Sequence, residues 1–409
     1  MSARLSVALA CCALLAACAS GGPGDDAAAP VSESSTLRVA SYNASLYSDE
    51  AGGLLRRLES GDEGARKVAA VLQRVRPDVV LINEFDHDST GRAADAFQRD
   101  YLEQPQEGGG APLHYPHRYF APVNTGVPSG LDLDRSGRVG AAAPVPGEDA
   151  AGARERGNDA WGYGLHPGQY GMLLLSMHPI DAASARTFQL LPWSAMPGAA
   201  RPVDPETGAP WHDDATWARL RLSSKSHWDV PVRTPMGVVH MLASHPTPPV
   251  FDGPEDRNGA RNHDEIRLWR EYISEGDRPW LCDDAGRCGG LAGGARFVIL
   301  GDLNNDPADG DGRHEAIVEL LEHPRVLRMA TPRSEGGAHA GAAHPERRGS
   351  PAHATGDFGP RVGPLRLDSA LPSTGFSLAG SGVYWPAPGE DGTNIVDGSD
   401  HRLVWVDLQ

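Results

Sequence analysis

Eight acid, amide or imidazole side chains stand where apolar runs of the sequence stop. Asn43 follows VASY, Glu84 ends DVVLINE, His245 ends VVHMLASH, and Asp302 and Asn304 follow RFVIL. Asp368 sits in LRLD, and Asp400-His401 precede RLVWVDL. One carboxylate at a strand end means little. Several polar groups at the mouths of apolar strands would each cost several kcal/mol if buried uncompensated, so they should share a ligand or one hydrogen-bonded network. Each also has a local reading. Asn43 suits a strand-end turn, Asp302 and Asn304 suit the Asx turn that Gly301 and Pro307 favour, and Asp400 suits a local cap. His245 before Pro246 reads equally well as a satisfied core histidine. The combination, and no single member, points to a site.

Alternating strands and helices must position these groups. LRVASYN (37–43) reads as a strand, GARKVAAVLQRV (64–75) as an amphipathic helix with Val68, Val71, Leu72 and Val75 on one face, and DVVLINE (78–84) as a buried strand. Further strands are predicted at 170–176, 216–223, 237–245, 296–302, 365–371 and 402–408. Helices are predicted at 262–275, where Ile266, Trp269 and Ile273 share a face, and near 313–322. Strands apolar along their whole length are buried on both sides, which argues for an α/β sandwich. A Gly/Pro-rich insertion at 104–168 and a similar stretch at 333–363 interrupt the pattern. Surface loops are expected at both.

Taken in order, these runs resemble the endonuclease/exonuclease/phosphatase superfamily, whose relatives include deoxyribonuclease I, exonuclease III and bacterial sphingomyelinases. VASYN resembles its first motif, PDVVLINE its glutamate motif, LASH its histidine motif, GDLNNDP its Asp-x-Asn motif, LRLD its late aspartate and SDHRLVWVD its C-terminal Ser-Asp-His. The resemblance covers most of residues 37–409. It implies a four-layer α/β sandwich, two mixed sheets packed face to face with helices outside, that hydrolyses a phosphate ester by in-line attack of activated water. Glu84 is implied as the principal Mg²⁺ or Mn²⁺ ligand, with Asn43 and Asp400 nearby, since oxygen donors suit a hard cation. His401, oriented by Asp368, is implied at the scissile phosphate. Asp302 is implied to align or deprotonate the water, Asn304 to hold a phosphate oxygen, and His245 to add a second donor.

The sequence departs from the family pattern at Asn83, at Met177-His178 and at Ser369-Ala370. None of these removes a proposed catalytic group. Tyr170 or Gln169 in PGQYG is a candidate for the tyrosine or arginine that some relatives bring to the phosphate. SSKSHWDVPV (223–232) and residues 244–267 resemble a subgroup of exported bacterial members. There Lys225, His227, Arg257, Arg261 and His263 are candidates to meet phosphate, set against a plain reading as solvated loops. A phosphodiesterase or nuclease is the favoured activity. The alternatives are a phosphomonoesterase, a sphingomyelinase-type phospholipase, and an inactive surface binding protein, against which the intact catalytic set argues.

Residues 1–18 carry Arg4, an apolar run from Leu5 to Ala17, and then Cys18. The run is too short to span a bilayer, and Leu-Ala-Ala-Cys resembles a bacterial lipobox, so Cys18 is the expected lipidation site. Small polar residues 19–36 read as a disordered tether. A monomer in the bacterial envelope, held to a membrane by its lipid alone, is expected. Cleavage before Cys18 removes Arg4 and no other charge, taking the formal net charge from −17 to −18, which does not help a polyanion approach. Besides Cys18 the mature chain keeps Cys282 and Cys288, six positions apart, which should form a disulfide in an oxidising compartment. Asp132, Asp134 and Ser136 resemble the first half of a calcium loop, but Ala143 stands where its glutamate is expected. A partial Ca²⁺ site and a simple acidic turn both remain open.

Overall fold

Thirteen strands run through the computed structural model, which describes residues 36–409. In chain order they are β1 (Leu37–Leu46), β2 (Val79–Phe85), β3 (His117–Tyr119), β4 (Met172–Ser176), β5 (Arg186–Thr187), β6 (His227–Thr234) and β7 (Gly237–Ser244). There follow β8 (Arg296–Asp302), β9 (Gly356–Asp357), β10 (Pro364–Leu365), β11 (Asp368–Pro372), β12 (Leu378–Val383) and β13 (Val404–Leu408). Cys18, the leader and all of the expected tether except Thr36 lie outside the described residues.

Two mixed sheets result, and β9 and β10 pair separately as a small antiparallel ribbon. One has the order β12-β13-β1-β2-β4-β3, the other β11-β8-β7-β6-β5. Each has a single parallel pair near its centre, β1–β2 in the first and β7–β8 in the second. A parallel pair cannot be closed by a tight turn and needs a crossover. The first crossover carries the helices Gly53–Glu59 and Glu63–Val75, the second the helix Arg257–Ile273. Asp62 caps the helix Glu63–Val75 by accepting from the Ala65 amide at 2.8 Å, and Arg76 ends it in the left-handed conformation.

The period-two alternation of the strands divides their side chains between two cores. Val39, Val79, Leu81, Met172 and Leu174 of the first sheet meet Trp228, Val230, Met241, Val298 and Leu300 of the second between the sheets. The opposite faces pack outward. Tyr42, Val80, Ile82 and Leu173 lie under Val68, Val71 and Leu72, while Leu242, Phe297 and Ile299 lie under Ile266, Trp269 and Ile273. These are the four layers of the sandwich.

Residues 216–223 are not a strand. Asp213 caps the short helix Asp214–Trp217, and the irregular chain after it inserts Leu220 and Leu222 into the core while Arg221 lies over the Trp161 ring. The alternation there is real, but it serves a loop anchored from one side. Conversely, the polar stretch 223–232 contains most of β6, whose Trp228, Val230 and Val232 fill the inter-sheet core. The Gly-rich edge strand β12 gave no apolar signal, because Gly380 and Gly382 make room for the ring of Trp405.

The stretch 333–363 is more than a surface loop, since Ala354, Thr355 and Gly356 are buried and Gly356 bridges to His401. Within 104–168, β3 and the helix Ala150–Asn158 form, and Asn124 ties the segment to Gln189 and Ser223 through its side-chain amide. Cys282 and Cys288 are joined in a disulfide. No helix among the described residues is long and apolar enough to cross a membrane.

Candidate active site

The C-terminal ends of the two parallel pairs open at one place. Asn43 and Glu84 stand near the ends of β1 and β2, Asp302 ends β8, and His245 follows β7 directly. β11 and β13 run antiparallel to β8 and β1, so their starts lie at the same end and bring in Asp368 and His401. Asp368 pairs in register with Asp302.

Backbone irregularities aim these side chains. A register shift after Asn43 bends the end of β1, with Ser45 at φ 50° and its amide on Asn43 Oδ1 at 3.3 Å. Glu84 has φ 57° and Asn304 φ 52°, a conformation that asparagine tolerates but that is strained for glutamate. Gly301 is required for another reason. A Cβ there would fall on the carbonyl oxygen of Ser244, so only glycine lets β8 approach β7 this closely just ahead of Asp302.

Asp302 is the hub. Its Oδ2 accepts from Asn43 Nδ2 at 3.0 Å and lies 3.5 Å from His245 Nε2 and 3.6 Å from His401 Nε2. Its Oδ1 accepts from the Asn304 amide at 2.9 Å. The other ring nitrogen of His401, Nδ1, lies 2.7 Å from Asp368 Oδ2. Burial opposes a charge on His401, but the carboxylates of Asp368 and Asp302 outweigh it and push the ring well above the usual histidine range. His401 is therefore an imidazolium held between two carboxylates. His245 is the opposite case: burial, with the cations Lys225 and His401, lowers it well below the ordinary value, so its ring is neutral.

Glu84 is partly buried, and burial pushes its carboxyl up to about 7, with Asp302 and Asp400 adding to the shift and His401 and Asn43 opposing it. Asp400 is exposed at the rim, where its Oδ1 accepts from Ser45 Oγ at 3.2 Å. Ser399 braces both sides, its hydroxyl donating to the Asn43 carbonyl at 2.8 Å and accepting from the His401 amide at 3.1 Å. The Asn304 amide group donates to the Pro246 carbonyl at 3.0 Å. Tyr170 packs its ring on Tyr47 with centroids 4.6 Å apart, and the Glu84 carboxylate acts on both phenols. It thus stands beside the cluster.

Three sequence candidates fall elsewhere. His227 is a core histidine: its Nδ1 meets Ser223 Oγ at 2.5 Å, its Nε2 meets the Glu265 carbonyl at 2.9 Å, and Trp269 covers its ring. Its inward position follows from the alternation of β6. His263 sits on the helix Arg257–Ile273 with Nδ1 3.0 Å from Asp264, apart from the cluster. Arg261 is likewise spent on the carbonyls of Leu222, Trp161 and Arg221.

Three side chains carry more than the sequence disclosed. Asn83 joins the sheets: its Oδ1 accepts from the Asp302 amide at 3.1 Å and its Nδ2 donates to the Ser244 carbonyl at 3.3 Å. Thr355 Oγ1 accepts from the amides of Leu367 and Asp368 at 2.9 Å each, fixing the start of β11. Lys225 is buried, and burial lowers its ammonium below the usual lysine range, partly offset by Glu265, Glu84 and Asp302. An alternating polar-apolar strand could have flagged Asn83; nothing local marks Thr355.

Among the described residues, two acidic groupings are tight enough to consider for a cation. In the first, Asp302, Asp368 and His401, the imidazolium already balances the carboxylates. The oxygen donors beside it, Glu84, Asn43 Oδ1 and Asp400, suit a hard cation, and the suppressed acidity of Glu84 is relieved by a positive charge. In the second, Asp132 accepts from the amides of Ser136 and Gly137, Asp134 from Ser136 and Asn158, and Asp159 from Leu133 and Gly140. Ser136 turns its hydroxyl to the Arg138 carbonyl. These bonds are those of an acidic turn, whose three carboxylates still lie close enough together to hold a cation.

The family model described as Endonuclease/Exonuclease/phosphatase family matches residues 40–401. No curated protein matches the chain significantly. Among solved structures, a protein described as endonuclease/exonuclease/phosphatase from Beutenbergia cavernae is 17% identical, with 91% of this chain and 71% of that one covered and a TM-score of 0.47. Sphingomyelinase C from Streptomyces griseocarneus is 15% identical over 92% of this chain and 100% of its own, with a TM-score of 0.42. A family protein from Bacteroides thetaiotaomicron is 13% identical over 91% and 97%, with a TM-score of 0.44.

Proposed function

The chain belongs to the endonuclease/exonuclease/phosphatase family of phosphoester hydrolases, and from that premise we propose that it is a divalent-metal-dependent phosphodiesterase. The observation that carries the reading is the convergence of Asn43, His245 and His401 on one carboxylate oxygen of Asp302, with Asp368 behind His401. In this reading Asp302 takes a proton from water as it attacks, a role supported by the bonds from Asn43 and the Asn304 amide that orient it. His401, kept cationic, donates from Nε2 to the phosphate and stabilises the charge that develops there. His245, neutral and buried, offers a second donor, and Asn304 holds its carboxamide at the same mouth. A Mg²⁺ or Mn²⁺ ion bound by Glu84, with Asn43 and Asp400 nearby, would supply charge neutralisation of a phosphate oxygen.

Among the side chains alone, before a cation binds, carboxylates outnumber cationic groups, so a diester with one negative charge enters at lower electrostatic cost than a dianionic monoester. This favours diester over monoester hydrolysis. Nucleic acid is the first diester to test, and export with a lipid on Cys18 belongs to the same proposal. The experiment compares bis-p-nitrophenyl phosphate, p-nitrophenyl phosphate, plasmid DNA and sphingomyelin vesicles, with EDTA and then with Mg²⁺ or Mn²⁺ restored. Activity indifferent to EDTA, or restored by zinc alone, would end the metal assignment. A monoester turned over faster than every diester would end the substrate assignment.

A further inference from the structure

Only two lysines occur in this arginine-rich chain. Lys67 lies on the outside of its helix and pairs with Asp397 and Glu63 at 3.0 and 3.2 Å. Lys225, just ahead of β6, is 6% exposed, and among the described residues its ammonium has no hydrogen bond or ion pair. A buried, unpaired ammonium is costly, and most proteins supply a partner.

The obvious partner is already used. Glu265 Oε1 accepts from the Ser224 amide and hydroxyl at 2.6 and 3.0 Å, and Oε2 accepts from the Thr247 amide at 2.6 Å. The antiparallel register of β6 on β7 sets His227 opposite Ser244, which puts Lys225 just beyond the strand end that carries His245; Glu84 and Asp302 also act on its charge, so the ammonium belongs to the cluster at the strand ends. Its loop is held from three directions. Glu265 fixes Ser224, the Asn124 amide donates to the Lys225 carbonyl at 2.9 Å, and Gly162 packs so closely that a Cβ there would fall on the Ser224 carbonyl. Asn124 and Gly162 both come from the long insertion, which thereby orders the chain that presents this lysine.

We propose that Lys225 binds a non-bridging oxygen of the phosphate, beside His245, as the fixed cation of the site. The assignment rests on the phosphoester reading given above. A phosphate brings the direct ion pair that no side chain makes with Lys225, and a point-like ammonium accepts it without the two-pronged geometry that an arginine would impose.

Inorganic phosphate with Mn²⁺ is the probe. In the wild-type protein, phosphate with Mn²⁺ should slow acetylation of Lys225 by about fivefold or more, read by mass spectrometry with Lys67 as internal reference. By titration calorimetry, Lys225→Met, close to lysine in length and apolar, should weaken phosphate binding about tenfold or more while Mn²⁺ alone binds as tightly as before or more tightly. Lys225→Arg should recover part of the loss. Phosphate that leaves the acetylation rate unchanged, or binds the Lys225→Met protein as well as wild type, overturns the proposal. If phosphate protects Lys225 but the wild type hydrolyses no ester, the proposed function fails and this assignment stands. If diesters are hydrolysed equally well by wild type and Lys225→Met, the assignment fails and the function stands.

Discussion

Nδ1 of His401 lies 2.7 Å from Oδ2 of Asp368, although 33 residues separate them in sequence. Both are buried, and the second ring nitrogen of His401 faces Asp302 at 3.6 Å, so the imidazolium is the charge that lets two carboxylates coexist in one buried cluster. Asp368→Asn should lower kcat by about 10²-fold or more, through the wrong tautomer and the lost charge, with the fold retained by circular dichroism. His401→Ala should cost at least as much. Because the two act as one unit, the double variant should be little worse than His401→Ala. Losses that multiply would show that they act separately.

Glu84 gives a pH dependence whose sign can be worked out. Burial raises its carboxyl from the ordinary value of 4.5 to about 7, so the folded protein without metal holds a proton that the unfolded chain has released. The stability this proton lends is fully present below about pH 4.5 and is lost as the pH rises through 7. A cation needs the carboxylate and must expel that proton. Apparent Mg²⁺ affinity should therefore fall about tenfold per pH unit below 7 and level off above it, and Glu84→Gln should bind weakly with no such slope. Calorimetry between about pH 5.5 and 8 checks this. A flat wild-type profile would remove Glu84 from the cation site.

The strand ends were legible because both sheets bury apolar runs on two sides, so Glu84, His245 and Asp302 stood out against their surroundings. His401 and Asp368 were legible by family order, since nothing local ties residues so far apart. His227 was misread for a physical reason. A histidine in a polar-looking stretch resembles a phosphate contact until Trp228, Val230 and Val232 show which way β6 faces. Lys225, two residues earlier, is a phosphate candidate that the sequence cannot tell from a solvated charge, because its burial depends on Asn124 and Gly162 from an insertion whose docking no local pattern encodes. Thr355 was hidden in a Gly/Pro-rich stretch because its part is played through the backbone amides of β11.

Asn83 interrupts an otherwise apolar strand and reads as a departure from the family pattern, yet it joins the two sheets at the site. Its side chain satisfies the Asp302 amide and the Ser244 carbonyl, both in the interior. Asn83→Leu should leave those two backbone groups unpaired and cost about 2–4 kcal/mol of stability. It should also lower kcat, since the Asp302 backbone loses an anchor. Urea unfolding together with steady-state kinetics on the diester measures both. A variant as stable and active as wild type would mean that water takes over both bonds.

Gly301 separates two costs that are usually confounded, strain in the backbone and lack of room. Its φ of 149° is unusual for an L side chain, and an added Cβ would meet the Ser244 carbonyl, which cannot yield because it belongs to the neighbouring strand β7 and already accepts from Asn83. Gly147 has a φ of 78° but open space around it. Gly147→Ala should therefore cost about 1 kcal/mol, from the backbone alone. Gly301→Ala should cost about 3 kcal/mol or more, because β8 must move away from β7. That movement carries Asp302 off the point where Asn43, His245 and His401 meet, so the surviving folded fraction should also be slow on the diester. Gly147→Ala should keep wild-type kinetics. Equal losses of stability in the two variants, or a Gly301→Ala protein that turns over at the wild-type rate, would show that the close approach of the strands does not hold Asp302 in place.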